Sequence, residues 1–79
     1  MYLEILTPEN KLFDNEIKQI EVPGTLGRFQ MLNDHAPIVS TLVKGIIKIT
    51  KSSGDEENIE IESGVIECHK NKIKILAEQ

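Results

Sequence analysis

Apolar and polar residues alternate along much of this chain with a repeat of two residues. The clearest case is residues 58–62, Asn-Ile-Glu-Ile-Glu, in which Ile59 and Ile61 share one face and acidic side chains occupy the other. Alternation of this kind is typical of a strand with one face in a core and one in water. No stretch of the sequence shows the 3.6-residue repeat of an amphipathic helix.

Segments rich in β-branched and aromatic residues give the remaining predicted strands. In order, the predicted strands are residues 2–7, 11–13, 16–22, 29–32, 38–43, 46–51, 58–62, 65–69 and 72–77. Turn-forming residues separate them, notably Asp14-Asn15, Pro23-Gly24, Asn33-Asp34, Ser63-Gly64, Lys70-Asn71 and the polar run 52–57. The pattern predicts an all-β fold, a small antiparallel β-sandwich or flattened barrel of about eight to ten short strands.

Alternation is imperfect in the third predicted strand. If the strand is regular, Ile20 and Val22 share a face with Lys18, and Ile17 lies on the opposite face. We therefore expect Ile20 and Val22 to belong to the core.

The stretch from Val22 to Val39 differs from the rest of the chain in its density of turn residues. Proline fixes φ and lacks an N–H donor, and glycine reaches positive φ at little cost, so Pro23-Gly24 and Gly27 predict a change of direction. The apolar residues that follow are expected to return to the core: Phe29, Met31 and Leu32. We therefore expect two exposed turns, with a short strand between them that packs on the core.

Composition narrows the class of protein. The chain has 79 residues, a formal net charge of -4 and a pI near 5.1. Nucleic-acid binding normally needs a basic face and stacking aromatic side chains, and only three aromatic residues are present. No apolar run reaches the roughly 20 residues of a membrane-spanning helix, and the first residues do not resemble a secretion signal. We expect one soluble domain over residues 1–79.

Candidate catalytic chemistry is sparse. Cys68 and His69 are neighbours in a predicted strand, so their side chains point to opposite faces and cannot act together as nucleophile and base or as ligands of one metal. Cys68, the single cysteine, is expected to be a buried apolar residue. The acidic runs resemble solvated faces. We expect no catalytic residue, metal site or cofactor, and a binding or structural module in place of an enzyme.

Several segments together resemble one known family. These are residues 1–9 (MYLEILTPE), Phe13, the VPGTLGRFQMLNDHAPIV stretch at 22–39, and the later segments 44–49, 63–68 and 72–78. The specific part is the Pro-Gly pair, the following Gly-x-Phe, and Asn33-x-His35-Ala36-Pro37. The whole chain resembles the N-terminal β-sandwich of the epsilon subunit of F-type ATP synthase.

This resemblance implies a non-catalytic rotor subunit at the foot of the central stalk. Such a subunit binds the gamma subunit and the ring of c subunits, helps to couple ion translocation to ATP synthesis, and lies at the cytoplasmic face of the bacterial inner membrane. By similarity, the residues that meet the c-ring are Gly27, Arg28 and Phe29. By the same similarity, the residues that lie against gamma are Thr7, His35, Ala36 and Pro37.

Two departures from the family qualify these expectations. Many members carry an acidic residue where this chain has Arg28. Most members also continue into two C-terminal helices that can inhibit ATP hydrolysis and, in some bacteria, bind ATP, and the 79 residues contain no such helices. A domain of this kind alone is expected to assemble and couple.

Two alternatives remain open from the sequence. A lipoyl- or biotinyl-type carrier domain is also a small β-sandwich with one modified lysine at a hairpin tip, and Lys70 beside Asn71 is the lysine in a comparable turn. It lacks the flanking residues typical of that class. The other alternative is an interaction module with an unknown partner.

Overall fold

The computed structural model describes residues 1–33 and 36–79 and contains eight strands. They are β1 (Tyr2–Leu6), β2 (Lys11–Gly24), β3 (Gly27–Met31), β4 (Ile38–Leu42), β5 (Gly45–Lys51), β6 (Glu56–Ile61), β7 (Ser63–His69) and β8 (Lys72–Glu78). The all-β prediction is confirmed. Among the described residues, no helix is long and apolar enough to cross a membrane.

Strand β2 connects the two layers of the sandwich. It spans 14 residues, and its first half pairs with β1. Its second half pairs with β5 and β3, and Gly24 at its end pairs with Leu42 of β4. One layer therefore contains β1, β8, β7 and β4, and the other contains β3, β5 and β6, with β2 shared between them.

One strand pair departs from the antiparallel arrangement. Strands β1 and β8 run parallel, with Tyr2 opposite Lys72 and Leu6 opposite Leu76. All other strand pairs in the described chain are antiparallel. The first and last strands consequently lie side by side and point the same way.

Alternate residues of the strands fill the core between the layers. Ile73, Ile75 and Ala77 of β8 are buried, whereas the residues between them are exposed. Ile61 is buried and Ile59 packs against the core, as their alternation predicts. No polar or charged residue is buried in the described part of the chain. The fold is therefore held together by apolar packing and by the hydrogen bonds of the strands.

Ile17 does not lie on the face opposite Ile20 and Val22, as a regular strand would require, because β2 contains a bulge. Ile17 pairs with Lys51 and Gln19 with Thr50, so β2 has one extra residue, Lys18, at this point. The extra residue reverses the alternation, and Ile17 points into the core on the same side as Ile20. Ile20 and Val22 are buried as predicted.

The predicted turn at Asp14-Asn15 is wrong, because both residues lie inside β2. Asp14 pairs with Glu4 and Asn15 with Leu3 of β1. The Asp14 carboxylate also accepts hydrogen bonds from the Tyr2 hydroxyl and from Lys11 Nζ. A continuous partner strand outweighs the local turn tendency of these residues.

Two other predicted turns are displaced. Pro23-Gly24 ends β2, and the turn itself consists of Thr25 and Leu26. Ser63-Gly64 begins β7, and the corner after β6 is made by one residue, Glu62, whose N–H donates to the carbonyl of Glu78 at 2.8 Å.

The return of the central stretch to the core is only partly as predicted. Met31 is fully buried and Phe29 packs against the core, but Leu32 is exposed. Leu32 follows the end of β3 and falls on the opposite parity from Met31. The predicted Asn33-Asp34 turn extends beyond the described residues at Asp34; Asn33 itself lies in a turn.

Neighbouring residues of β8 provide a test of this packing. Truncation of fully buried Ile75 to Ala should lower the free energy of unfolding by about 2–5 kcal/mol, because it leaves a cavity. Leu76, half-exposed on the outer face, is the matched control, and Leu76→Ala should cost less than about 1 kcal/mol. Urea unfolding followed by circular dichroism measures both. Equal losses would contradict the assignment of the core face.

Candidate partner-binding surfaces

The β2–β3 hairpin presents a sharply defined turn at one end of the sandwich. Gly24 pairs with Gly27 across the turn, and Gly27 has a φ of 127°, which only glycine adopts easily. A Cβ added to Gly24 would lie 2.7 Å from both the carbonyl oxygen of Gly27 and a ring carbon of Phe29. Glycine is thus required at both positions, for space at the first and for backbone conformation at the second.

The turn is fastened to the strand beside it. The backbone N–H of Thr25 donates to the carbonyl of Thr41 at 3.2 Å, and the Thr25 hydroxyl donates to the same carbonyl at 3.1 Å. The two threonine hydroxyls lie 2.5 Å apart. The N–H of Val43 donates to the Pro23 carbonyl at 2.8 Å. The hairpin tip, Thr25 and Leu26, is therefore held by β4 as well as by the pairing of β2 with β3.

Arg28 is engaged within the chain. Its Nε donates to a carboxylate oxygen of Glu21 at 2.8 Å, and one terminal nitrogen donates to the carbonyl of Ile46 at 2.8 Å. The Arg28 side chain thus crosses from β3 over β2 to the start of β5. The hydrogen bond and charge of Arg28 lower the pKa of Glu21 against a smaller opposing effect of desolvation, and Lys48 adds a further attraction.

Phe29 serves the core more than the surface. It is half-buried, packs against the core cluster and lies under Gly24. Of the three residues expected to meet the c-ring, Arg28 and Phe29 project from opposite faces of β3, and Gly27 has no side chain.

Thr7 belongs to a tight turn after β1. Its N–H and hydroxyl both donate to the carbonyl of Asn10, at 2.8 and 3.2 Å, and its hydroxyl accepts the Asn10 N–H at 3.0 Å. The hydroxyl therefore stabilises the turn locally. With Leu6, Pro8 and Leu76, Thr7 lines a shallow depression beside the end of β8.

Ala36 and Pro37 are exposed and lead directly into β4. His35, the third member of this group, lies outside the described residues. Pro37 precedes Ile38. Residues paired with one another across neighbouring strands form a row, and the row of Ile38 continues through Cys68, Ile73 and Leu3. The predicted gamma-facing residues of this segment thus stand at the beginning of β4.

Thr7 and Pro37 do not form one cluster. Thr7 follows Leu6, whose row across the layer is Leu76, Val65 and Thr41. The two residues are about five steps apart along the strands and three strands apart across them, or about 20 Å in all. A single partner that touches both must cover the outer face between them.

That outer face carries an apolar belt, which sequence reasoning missed. The belt is the row Leu6, Leu76, Val65 and Thr41, one residue from each of four neighbouring strands. Leu76 is 54% exposed and Val65 41%, and Val39 at 70% lies two residues before Thr41. The next row is charged on three strands, with Glu4, Lys74 and Glu67 side by side, and ends at Val39 on β4. The outward direction of these side chains could have been predicted from the sequence, because they occupy the alternate positions of their strands that face away from the core.

Potential metal-binding side chains do not cluster in the described part of the chain. No group of three such side chains comes together there. Cys68 is buried and His69 exposed, on opposite faces as predicted, and burial raises the pKa of the Cys68 thiol. A raised pKa keeps the thiol protonated and unreactive.

A comparison with protein families identifies the family of this chain. The family described as "ATP synthase, Delta/Epsilon chain, beta-sandwich domain" matches residues 1–79, the full length of the chain. The chain belongs to this family. The carrier-domain alternative with Lys70 as the modified lysine finds no support in the comparisons.

Two ATP synthase epsilon chains show how similar the sequences are. The ATP synthase epsilon chain of Sulfurovum sp. is 42% identical over 72 residues, which cover 91% of this chain and 56% of that protein. The chain spans little more than half the length of the first relatives it matches. It spans more of others: the epsilon chain of Chlorobaculum tepidum is 35% identical over 98% of this chain and 88% of its own length.

A solved structure shows the same fold at low sequence identity. It is the Euglena gracilis mitochondrial ATP synthase, described as OSCP/F1/c-ring in rotational state 1. One of its chains aligns with a TM-score of 0.90 and 18% identity, covering 98% of this chain and 49% of that one. The arrangement of strands described above is therefore also the fold of that chain.

Acidification tests the Arg28–Glu21 pair. Because the pKa of Glu21 is held below its ordinary value of 4.5, the pair stabilises the fold above that value and loses its effect as the pH falls through the lower, folded-state pKa. The difference in unfolding free energy between the parent chain and Glu21→Gln should shrink over this window. Carboxyl NMR titration should show the Glu21 pKa rising towards 4.5 in Arg28→Gln. An unchanged titration would contradict the pairing.

Proposed function

We propose that this chain is an epsilon-type, non-catalytic subunit of the rotor of an F-type ATP synthase. In this role it binds the gamma subunit and the c-ring and helps to couple ion translocation to ATP synthesis. The observation that carries the proposal is the family match over all 79 residues. In the same proposal, the subunit lies on the cytoplasmic side of the bacterial inner membrane, as a peripheral part of the complex.

We assign the gamma-facing role to the outer face of the layer β1–β8–β7–β4. Thr7 and Pro37 mark opposite corners of this face, with Ala36 beside Pro37, and the apolar belt crosses the face from Leu6, next to Thr7, to Thr41. Leu76 and Val65 are exposed neighbours within the belt, and contiguous exposed apolar side chains of this kind mark surfaces that bind partners. The charged row beside the belt fixes the orientation of a partner more than it adds affinity.

The hairpin tip is the second proposed contact, towards the c-ring. It stands at the end of β2, beside Thr41 at one end of the apolar belt, and away from the beginning of β4 where Pro37 lies. One domain can therefore hold gamma on its outer face and reach the ring with its tip. Residues 1–79 act in this proposal as a single β-sandwich domain that supplies assembly and coupling.

Direct association with gamma tests the proposal. The purified chain and folded gamma from the same organism should form a one-to-one complex by size-exclusion chromatography with light scattering. A stable interface of this kind buries more than about 1,000 Å² in total. Absence of a complex would contradict the assignment, and a search for another partner of the outer face would follow.

The apolar belt gives the matching substitution. Leu76→Ser should weaken gamma binding by about tenfold or more, because a leucine that is half-exposed in the free chain becomes fully buried in the complex. Asn58→Ala, an exposed change on β6 in the other layer, is the control and should bind gamma like the parent chain. Isothermal titration calorimetry measures both. Equal affinities would remove the belt from the interface.

A further inference from the structure

Basic residues gather at the turn between β7 and β8, although the chain has a net charge of -4. Three of its nine lysine and arginine residues lie within residues 70–74. His69, Lys70 and Lys72 are exposed around this turn, and we call them the basic corner. An acidic chain thus presents a concentrated positive charge at one point of its surface.

The basic corner lies on the outer face of the layer β1–β8–β7–β4, beside Pro37. Lys72 pairs with His69 across β8 and β7. The last pair between β7 and β4 at this end is Cys68 with Ile38. The next residues of the two segments, His69 and Pro37, are therefore neighbours.

The two ends of the outer face differ in character. On β8, Leu76 of the apolar belt is four residues from Lys72, or about 13 Å along the strand. The charged row lies between them. A partner that covers both the apolar end and the basic end has only one favourable direction on this face.

Acidic side chains of the same face are already balanced within the chain. Glu4 and Asp14 both contact Lys11 Nζ, at 3.5 and 2.9 Å. Glu67 lies opposite Lys74 across β7 and β8. These carboxylates therefore have a basic neighbour other than the basic corner.

The basic corner is not balanced in this way. Neither Lys70 nor Lys72 takes part in an ion pair of the described residues. Lys72 pairs with the neutral Tyr2, and Glu16, beyond Tyr2 in this row, lies 3.5 Å from the Met1 amino group. The positive charge of the corner is thus available to a partner.

The backbone of the turn is an independent observation. Lys70 and Asn71 have φ angles of 52° and 60°, as in a two-residue hairpin turn of type I′. Asparagine and glycine are favoured at such positions, whereas lysine is not. A lysine kept in this conformation points to a use for its side chain. The Asn71 carbonyl accepts the Tyr2 N–H at 2.9 Å, so the turn is fixed against β1.

We propose that the basic corner binds an acidic segment of the subunit that covers the outer face, and that this contact sets the orientation of that subunit. The inference rests on the proposed function and names the chemistry of the gamma segment at this end of the face. Carboxylates of the segment lie against Lys70 and in the shallow depression that Lys72 lines with His69. In the reversed arrangement they would lie over the apolar belt.

An anionic lipid surface is the competing partner for a basic patch. Basic segments that bind such lipids usually carry about four to eight lysine or arginine residues. The hairpin offers Lys70, Lys72 and Lys74, and the last of these lies between two glutamates. An acidic protein segment therefore fits the corner better.

Association kinetics with gamma test the contact. Lys70→Gln and Lys72→Gln are combined, and binding to folded gamma of the same organism is followed by surface plasmon resonance. At low salt the association rate should fall about three- to tenfold, and at high salt the difference should vanish because screening removes the attraction. Lys18→Gln with Lys48→Gln is the matched control, since both lysines are exposed and lie where β2 and β5 form the other layer, and it should associate like the parent chain.

Lys70→Asn separates a binding role from a structural one. Asparagine removes the charge and accepts the positive φ more easily than lysine does. The unfolding midpoint should therefore rise while association with gamma slows. An unchanged association rate in this stabilised variant would mean that Lys70 serves only the turn.

Carbodiimide crosslinking of the complex with gamma identifies the groups that meet the basic corner. The reagent joins an amine to a carboxylate in direct contact and itself takes up the water that is lost. Mass spectrometry should find Lys70 or Lys72 linked to an aspartate or glutamate of gamma, and Lys48 unlinked.

The outcomes separate this inference from the function on which it rests. Failure of the parent chain to bind gamma contradicts the proposed function itself. Gamma binding with no loss of rate in the double variant, or with no crosslink from the basic corner, overturns this inference alone. Binding to vesicles of phosphatidylcholine and phosphatidylglycerol that the double variant loses, with gamma binding unchanged, would assign the corner to a lipid surface and also overturn it.

Discussion

The geometry of this domain depends on the long strand β2 and on the close packing at its end. β2 is bonded to β1, β3, β4 and β5, so both layers take their register from it. At its last residues Pro23 packs against Gly45 and Gly24 against Phe29, with no room for a Cβ on either glycine. The hairpin tip follows directly from this junction, and its direction is fixed by the same contacts that join the layers.

The sequence predicted the class of fold because strand alternation is a local property. Strict alternation in β6 and β8 identified buried and exposed faces correctly, and the adjacent Cys68 and His69 fell on opposite faces as expected. Errors occurred where a distant strand decided the outcome. Asp14 and Asn15 favour a turn by themselves, but β1 supplies partners for both, and the bulge at Lys18 is visible only from the pairing with β5.

Only part of the candidate partner-binding surfaces could be predicted from the sequence. Family motifs drew attention to the segment around Arg28, but its bonds to Glu21 and Ile46 join residues 7 and 18 positions away. The apolar belt could be recognised only from the register of four strands, because its members come from the beginning, the middle and the end of the sequence. Sequence motifs thus indicated which segments form candidate contacts, and the pairing of strands decided which side chains face outward together.

The parallel pairing of β1 and β8 also constrains how the domain is made. β1 receives its second neighbour only when β8 is present, because β8 pairs with both β1 and β7. Most contacts in the fold are between residues far apart in sequence, and folds of this type close slowly, over milliseconds to seconds. On the ribosome, the layer that bears the apolar belt stays open until the last strand emerges. Its edge is exposed to unwanted strand pairing throughout that interval.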